Sequence, residues 1–275
     1  YKGRLDALSN VWSFVEHSTA KYVIMANCDV VTTIDFNPVL NQHMESGADI
    51  TLIYSKGYYD SEKNSCATIL EFDENNHLKD VLVDPQISGE CNMWLEMFII
   101  SRDFLKKIVF EAASRNQSSF TREILQGRKD EYKIMGYEHK GIFTRIDSVQ
   151  SYYNANQMLL ETEKRNALFV KNMPIYTKIG DNGPVKYGLD SSIKNSLIAD
   201  GCVIEGTVEN SILFRGVKVG KGTVVKNCVL LQGTKVGSNC SISYVITDKN
   251  VEVSNDKVLT GSETYPLYIG KEGKI

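Results

Sequence analysis

An aspartate closes one of the first apolar runs of this 275-residue chain, where Tyr22 to Met25 is followed by Ala26-Asn27-Cys28-Asp29. The residue directly after a buried strand stands where ligands gather in α/β sheets, and Asp29 sits at such an end. The plainer role, a strand-end Asp capping its own turn, competes with a ligand-binding one. Zinc or redox chemistry finds little support. The six cysteines (Cys28, Cys66, Cys91, Cys202, Cys228, Cys240) show no C-x-x-C spacing, and none lies three or four residues from His17, His43, His77 or His139. Neither a zinc site nor a disulfide framework is signalled; the thiols read as the free cysteines of a cytoplasmic protein.

The elements that would position Asp29 follow from the apolar spacing. Leu5, Leu8, Val11/Trp12 and Val15 recur at three to four residues and place one stripe on a helix ahead of the Tyr22–Met25 strand. Helix, buried strand and polar strand end are the unit of a parallel α/β sheet. Further strands are expected at Ile50 to Ile53 and Met93 to Ile100, with a hairpin of Ala67 to Phe72 and His77 to Val83 around Asp73-Glu74-Asn75-Asn76. Arg102 to Ala113, Ser119 to Gln126 and Ser148 to Glu163 read as helices, with strands near Tyr132 to Tyr137 and Gly141 to Ile146 between them. The class is α/β with a mixed sheet. Hydrophobic residues at 42% and charged residues at 24% describe a globular chain with a real core. A net charge of -3 without a Lys/Arg run gives no pull toward nucleic acid. The apolar runs fall far short of the roughly 20 residues that span a bilayer. The chain opens at Tyr1 on a polar helical segment where a signal peptide would be charged and then apolar, and it reads as a piece of a longer chain.

Beyond about residue 165 the pattern changes. Residues 166–189 carry Pro174, Pro184, Gly180, Gly183 and Gly188 without periodicity and read as a linker. From there Ile198, Ile204, Leu213, Val219, Val225, Leu231, Val236 and Ile242 recur mostly six apart. Six is the hexapeptide period: each unit is a short strand and a turn, three units close a triangular coil, and the aliphatic position points to its axis. An antiparallel sandwich would instead alternate at two. Residues 190–262 are therefore expected to form a left-handed parallel β-helix, with 263–275 as a C-terminal tail and 1–165 as the α/β domain. Leu213, Val219, Val225, Leu231 and Ile242 are expected to face inward.

Several stretches together resemble one family. Tyr1-Lys2-Gly3-Arg4-Leu5-Asp6-Ala7 is similar to the Tyr-x-Gly-Thr-Ala-x-Ala segment of the ADP-glucose pyrophosphorylases (glucose-1-phosphate adenylyltransferases), and Tyr22 to Val31 resembles their strand ending in Gly-Asp-His. Ser151-Tyr152-Tyr153-Asn154-Ala155-Asn156 matches their Ser-Tyr-x-x-Ala-Asn helix, and Asn195 to Gly206 the opening of their β-helix; Val208 to Ser211 and Ile246 to Asn250 extend the match. The resemblance covers essentially the whole chain and is strongest to the GlgD-type subunit. It implies a Rossmann-like nucleotidyltransferase domain, its first part with the glycine-rich triphosphate loop missing here, followed by the β-helix. It also implies ATP and glucose 1-phosphate as family substrates, Mg²⁺ as the family cofactor, and a tetramer with a GlgC-type catalytic subunit or with itself.

Carried onto this sequence, the family pattern puts Asp29 at a metal-ligand position, with Gly3 and Glu96 among the substrate-binding positions. Arg145 stands where the second metal aspartate would be, with Asp147 two residues on, and Asp84 replaces the family's sugar-phosphate lysine. A cation cannot ligate Mg²⁺, and a carboxylate repels a phosphate dianion. Met93-Trp94-Leu95-Glu96-Met97 also departs from the small Ser-Met-Gly group. These changes imply a regulatory or architectural subunit, weakly active or inactive by itself, in which Arg145 pairs with Asp29 in place of the metal. The alternative is a competent sugar-phosphate nucleotidyltransferase with a variant site. A hexapeptide acyltransferase is disfavoured because such enzymes usually need a histidine on a coil, and the last histidine is His139.

Overall fold

A computed structural model describes residues 2–62 and 67–275; Tyr1 of the first motif and Cys66 lie outside the described residues. Packing groups the chain into two compact units, 1–141 and 142–275.

The centre of the first unit is the strand Ser88–Ser101, whose Phe98, Ile99 and Ile100 are wholly buried. It runs antiparallel to Ile50–Asp60 along its whole length and to Tyr22–Met25 along its C-terminal part. Thr68–Phe72 joins it at Ile69 opposite Met93 and continues into the hairpin with Leu78–Val83. Ile50–Asp60 pairs in parallel with Ile134–Glu138 on its other side. The sheet is mixed, and one expectation is corrected: Tyr22–Met25 lies antiparallel to its partner, because the long Ser88–Ser101 strand passes between it and Ile50–Asp60. Asp73 shapes the hairpin turn, its carboxylate accepting from the amides of Asn75 and His77.

The helical stripe is broken into Arg4–Asn10 and Trp12–Glu16, yet Leu5, Leu8 and Trp12 are all buried beside Leu105 and Ile108 of the helix Arg102–Ser114. The helix expected over Ser119 to Gln126 is a π-turn, Thr121–Gln126. An unexpected helix, Phe36–Ser46, is punctuated by an Asp35 side chain capping Asn37 N and by left-handed Gly47. Those signals, with Val39 and His43 four apart and buried, were readable in the sequence.

In the second unit three sheets, each of five short parallel strands, wrap one axis. This is the left-handed parallel β-helix of the hexapeptide pattern. Through the middle coils the register advances by seventeen residues, Val208 pairing with Val225, Val225 with Ile242, and Ile242 with Leu259, whereas the step is shorter at the start, with Ile193 opposite Val208, and longer at the end, with Ile246 opposite Tyr268. Three hexapeptides would need eighteen, so one corner is a residue short. That corner is turned by left-handed Asn195, Asn210, Asn227 and Tyr244, and Asn195 donates to Asn210 along the stack. The short corner explains one correction. Leu213, Val219, Val225 and Ile242 are buried, but counting six from Val225 gives Leu231, whereas Leu230 occupies the inner position opposite Leu213. Leu231 is partly buried on the outside, against Tyr153, Val229 and Ile246.

Small polar residues complete the axis. Ser211 and Thr223 are wholly buried, and their hydroxyls accept from the amides of Cys228 and Cys240 in the next coil. The helix expected over Ser148 to Glu163 is two, Val149–Met158 and Thr162–Leu168; the first starts from a reciprocal Ser148–Ser151 cap. It packs with the coils, because Tyr153 is buried against Val229 and Ile246 and its hydroxyl donates to the Asn227 carbonyl. The packing boundary thus precedes the compositional one. Residues 263–275 contribute a strand, Leu267–Ile269, to the sheet containing Val245–Thr247. Among the described residues no helix is long and apolar enough to cross a membrane.

Candidate functional site

The first turn of helix Arg4–Asn10 meets the sheet at a sharply constrained point. Gly3, the residue before it, is extended, and a Cβ there would lie 2.4 Å from the carbonyl oxygen of Ser118, the same oxygen that accepts from Leu5 N. Gly3 therefore serves close backbone packing, and in doing so sets the direction in which Arg4 leaves the helix.

Arg4 reaches across to the strand Ser88–Ser101 and to the connection after Tyr22–Met25. Its Nη2 donates to Asn27 Oδ1 at 2.6 Å and to Glu96 Oε2 at 2.8 Å, and its guanidinium carbon lies 5.6 Å from the Trp94 ring centre and 5.8 Å from that of Phe98. The pair is largely shielded, with side-chain exposures of 21% for Arg4 and 14% for Glu96, and Nη1 is buried without a hydrogen-bond partner. Shielding strengthens a charge-assisted bond relative to one in water, and the two aromatic faces add cation–π attraction.

Glu96 is itself held in an uncommon backbone conformation, with φ at 56° in the middle of the longest strand. The register of Ser88–Ser101 against Ile50–Asp60 slips there, between Ile53 opposite Met97 and Tyr54 opposite Trp94. The bulge turns Glu96 toward Arg4 and Thr68, whose hydroxyl donates to Oε1 at 3.4 Å. A non-glycine residue in the left-handed region costs about 1–2 kcal/mol, which the salt bridge helps to offset.

The other expected site residues are placed as follows. Asp29 is half-buried in the bend between Tyr22–Met25 and Val30–Thr32, two residues after Asn27. Asp84, also left-handed, is exposed at the end of the hairpin, where its amide donates to the Ala67 carbonyl next to Thr68. Arg145 belongs to the second unit, at the end of the half-buried strand Phe143–Arg145. The structure thus brings Gly3, Glu96 and the segment leading to Asp29 to one place. The residue that joins them is Arg4, and its signal in the sequence is its place in the first motif, where the resembling segment has Thr.

His139 marks the far end of Ile134–Glu138. It is buried, shares a hydrogen bond with Thr32 Oγ1 at 2.9 Å, and burial holds its imidazole below the ordinary range. Among the described residues no group of three or more His, Cys, Asp and Glu side chains is arranged to hold a metal ion. Near Asn27 and Asp29 the donor set does not suit a hard dication, since a fixed guanidinium already takes the Asn27 and Glu96 oxygens.

The comparisons with known proteins agree with this architecture. Residues 185–264 match the family model described as GlmU-like, C-terminal hexapeptide. Over 269 residues the chain is 34% identical to the glycogen biosynthesis protein GlgD of Bacillus subtilis, covering 98% of this chain and 68% of that protein. It is 34% identical over 208 residues to GlgD of Geobacillus stearothermophilus, covering 76% and 50%. It is 28% identical over 229 residues to a glucose-1-phosphate adenylyltransferase of Mycoplasma mobile, covering 82% and 60%. The chain spans only 50% to 68% of the length of these three relatives. With a mixed α/β sheet followed by a hexapeptide β-helix, the chain belongs to the glucose-1-phosphate adenylyltransferase family, in its GlgD group.

Proposed function

We propose that the chain is part of a regulatory or architectural subunit of glucose-1-phosphate adenylyltransferase, acting in glycogen synthesis and weakly active or inactive by itself. The observation that carries this reading is the Arg4 guanidinium seated between Asn27 and Glu96, where a cation of the chain's own satisfies the oxygens a working site would turn to a ligand. The charges of Asp84 and Arg145 point the same way: neither suits a site that must hold a phosphate dianion and Mg²⁺. The chemistry in the assembly, ATP plus glucose 1-phosphate giving ADP-glucose and pyrophosphate, then falls to a GlgC-type partner. Free thiols suit the reducing cytoplasm.

Assembly into a tetramer with that partner, or with copies of itself, is supported by the first coil. Lys186–Tyr187, Ser192–Lys194 and Leu197–Ile198 each end their sheet, and Tyr187, Leu189 and Ile193 beside them are exposed. Open strand edges beside apolar residues favour association.

The test is ADP-glucose formation by the full-length protein, alone and mixed with the catalytic partner. Little or no product alone and altered kinetics of the mixture are expected; turnover alone at the partner's rate would establish the competent-transferase alternative. In the same assay Asp84→Lys with Arg145→Asp should raise activity more than either change alone.

A further inference from the structure

The contacts of Arg4 have the form of a bound ligand. A single nitrogen, Nη2, donates one hydrogen to an amide oxygen on one segment and the other to a carboxylate oxygen on another, at 2.6 and 2.8 Å. Adjacent hydroxyls of a sugar would donate in the same way to the same two acceptors. The rest of the cluster is also of the type that recognises hydroxyls: the Asn27 amide, the Thr68 hydroxyl on the other Glu96 oxygen, and the aromatic floor of Trp94 and Phe98. Arg4 is anchored from outside this cluster, since Gly3 and Ser118 fix the turn from which it projects.

We propose that Arg4 is a built-in occupant of a sugar-binding cleft formed by Asn27, Thr68 and Glu96, and that it keeps glucosyl ligands out of this chain. The proposal deepens the reading of a subunit with a disabled site and rests on it. The strained bulge at Glu96 belongs to the device, because it aims a carboxylate at Arg4 that a regular strand would direct elsewhere.

The test uses the full-length protein and glucose 1-phosphate, followed by saturation-transfer NMR and calorimetry, with glucose and inorganic phosphate as separate arms. The wild type should show no transfer to the glucosyl protons. Arg4→Ala should show it, with glucose 1-phosphate and glucose alike bound at least ten-fold tighter than by the wild type, and adding Glu96→Gln should reverse most of the gain. Arg4→Ala with native near-ultraviolet circular dichroism and no gain would overturn the proposal, as would a gain matched by phosphate alone, which would locate recognition at an anion. Should Arg4→Ala not fold, Arg4→Gln replaces it. Independently of any variant, millimolar or tighter glucosyl binding by the wild type, contacting Glu96, would also overturn it. Failure here is separable from failure of the functional reading: ADP-glucose synthesis by the wild type alone overturns the latter, whereas an inactive wild type with no gain in the variant overturns only the occlusion.

Discussion

The coil of residues 186–269 and the sheet around Ser88–Ser101 both bury aliphatic residues completely, but they assign roles to residues differently. Through the middle of the coil a position inherits its environment from the residue seventeen before it: Ser211 serves Cys228 as Thr223 serves Cys240. In the sheet, neighbours come from distant segments, and the same strand carries a buried tryptophan, a bulge and an ion pair within three residues. Repetition makes local sequence sufficient to state a residue's role, whereas a mixed sheet makes that role depend on which strand happens to pass alongside.

The largest effect that could break this contrast lies at the short corner of the coil. Leu230→Ala should cost about 2–5 kcal/mol in denaturant unfolding, the usual range for an emptied core site, and Leu231→Ala less than half as much. Equal costs, or a larger one at Leu231, would mean that the seventeen-residue register is wrong. Gly3→Ala sharpens the sheet side: its Cβ must displace the Ser118 backbone rather than a flexible side chain, at about 1–3 kcal/mol. A neutral result would remove the reason for Gly3 there and leave a ligand role open.

A smaller effect is pH-dependent and confined to the sheet unit. Burial lowers the imidazole affinity for protons at both His43 and His139, so between their folded and unfolded values the unfolded chain binds more protons. Their contribution to stability is present above about pH 6.5, the unperturbed histidine value, and is lost as the pH falls through the depressed folded values. Denaturation midpoints should therefore drop below about pH 6.5, and His43→Gln with His139→Asn should flatten that slope; an unchanged slope in the double variant would assign it to other groups. The smallest effect is chemical. Cys28 is exposed, whereas burial pushes the Cys228 thiol up to about 12, so a thiol reagent should label Cys28 in the native protein and reach Cys228 only on unfolding. Rapid native labelling at Cys228 would show that the coil opens far more readily than its packing implies.

Period and punctuation in the chain specify the order of an α/β unit and a β-helix, the Asp73 hairpin, and the inward Leu213, Val219, Val225 and Ile242, and the short motifs carry the resemblance to the family, because each of these depends on residues close together in sequence. Phe36–Ser46 was equally legible from Asp35 and Gly47. The inner place of Leu230 rather than Leu231 needed the coils stacked, since the two leucines are adjacent and only the short corner distinguishes them. The antiparallel setting of Tyr22–Met25 and the union of Arg4, Asn27 and Glu96 were decided by tertiary structure alone. The latter three residues span more than ninety positions of chain, and the contact exists because a β-bulge and a helix start converge, which no local pattern encodes.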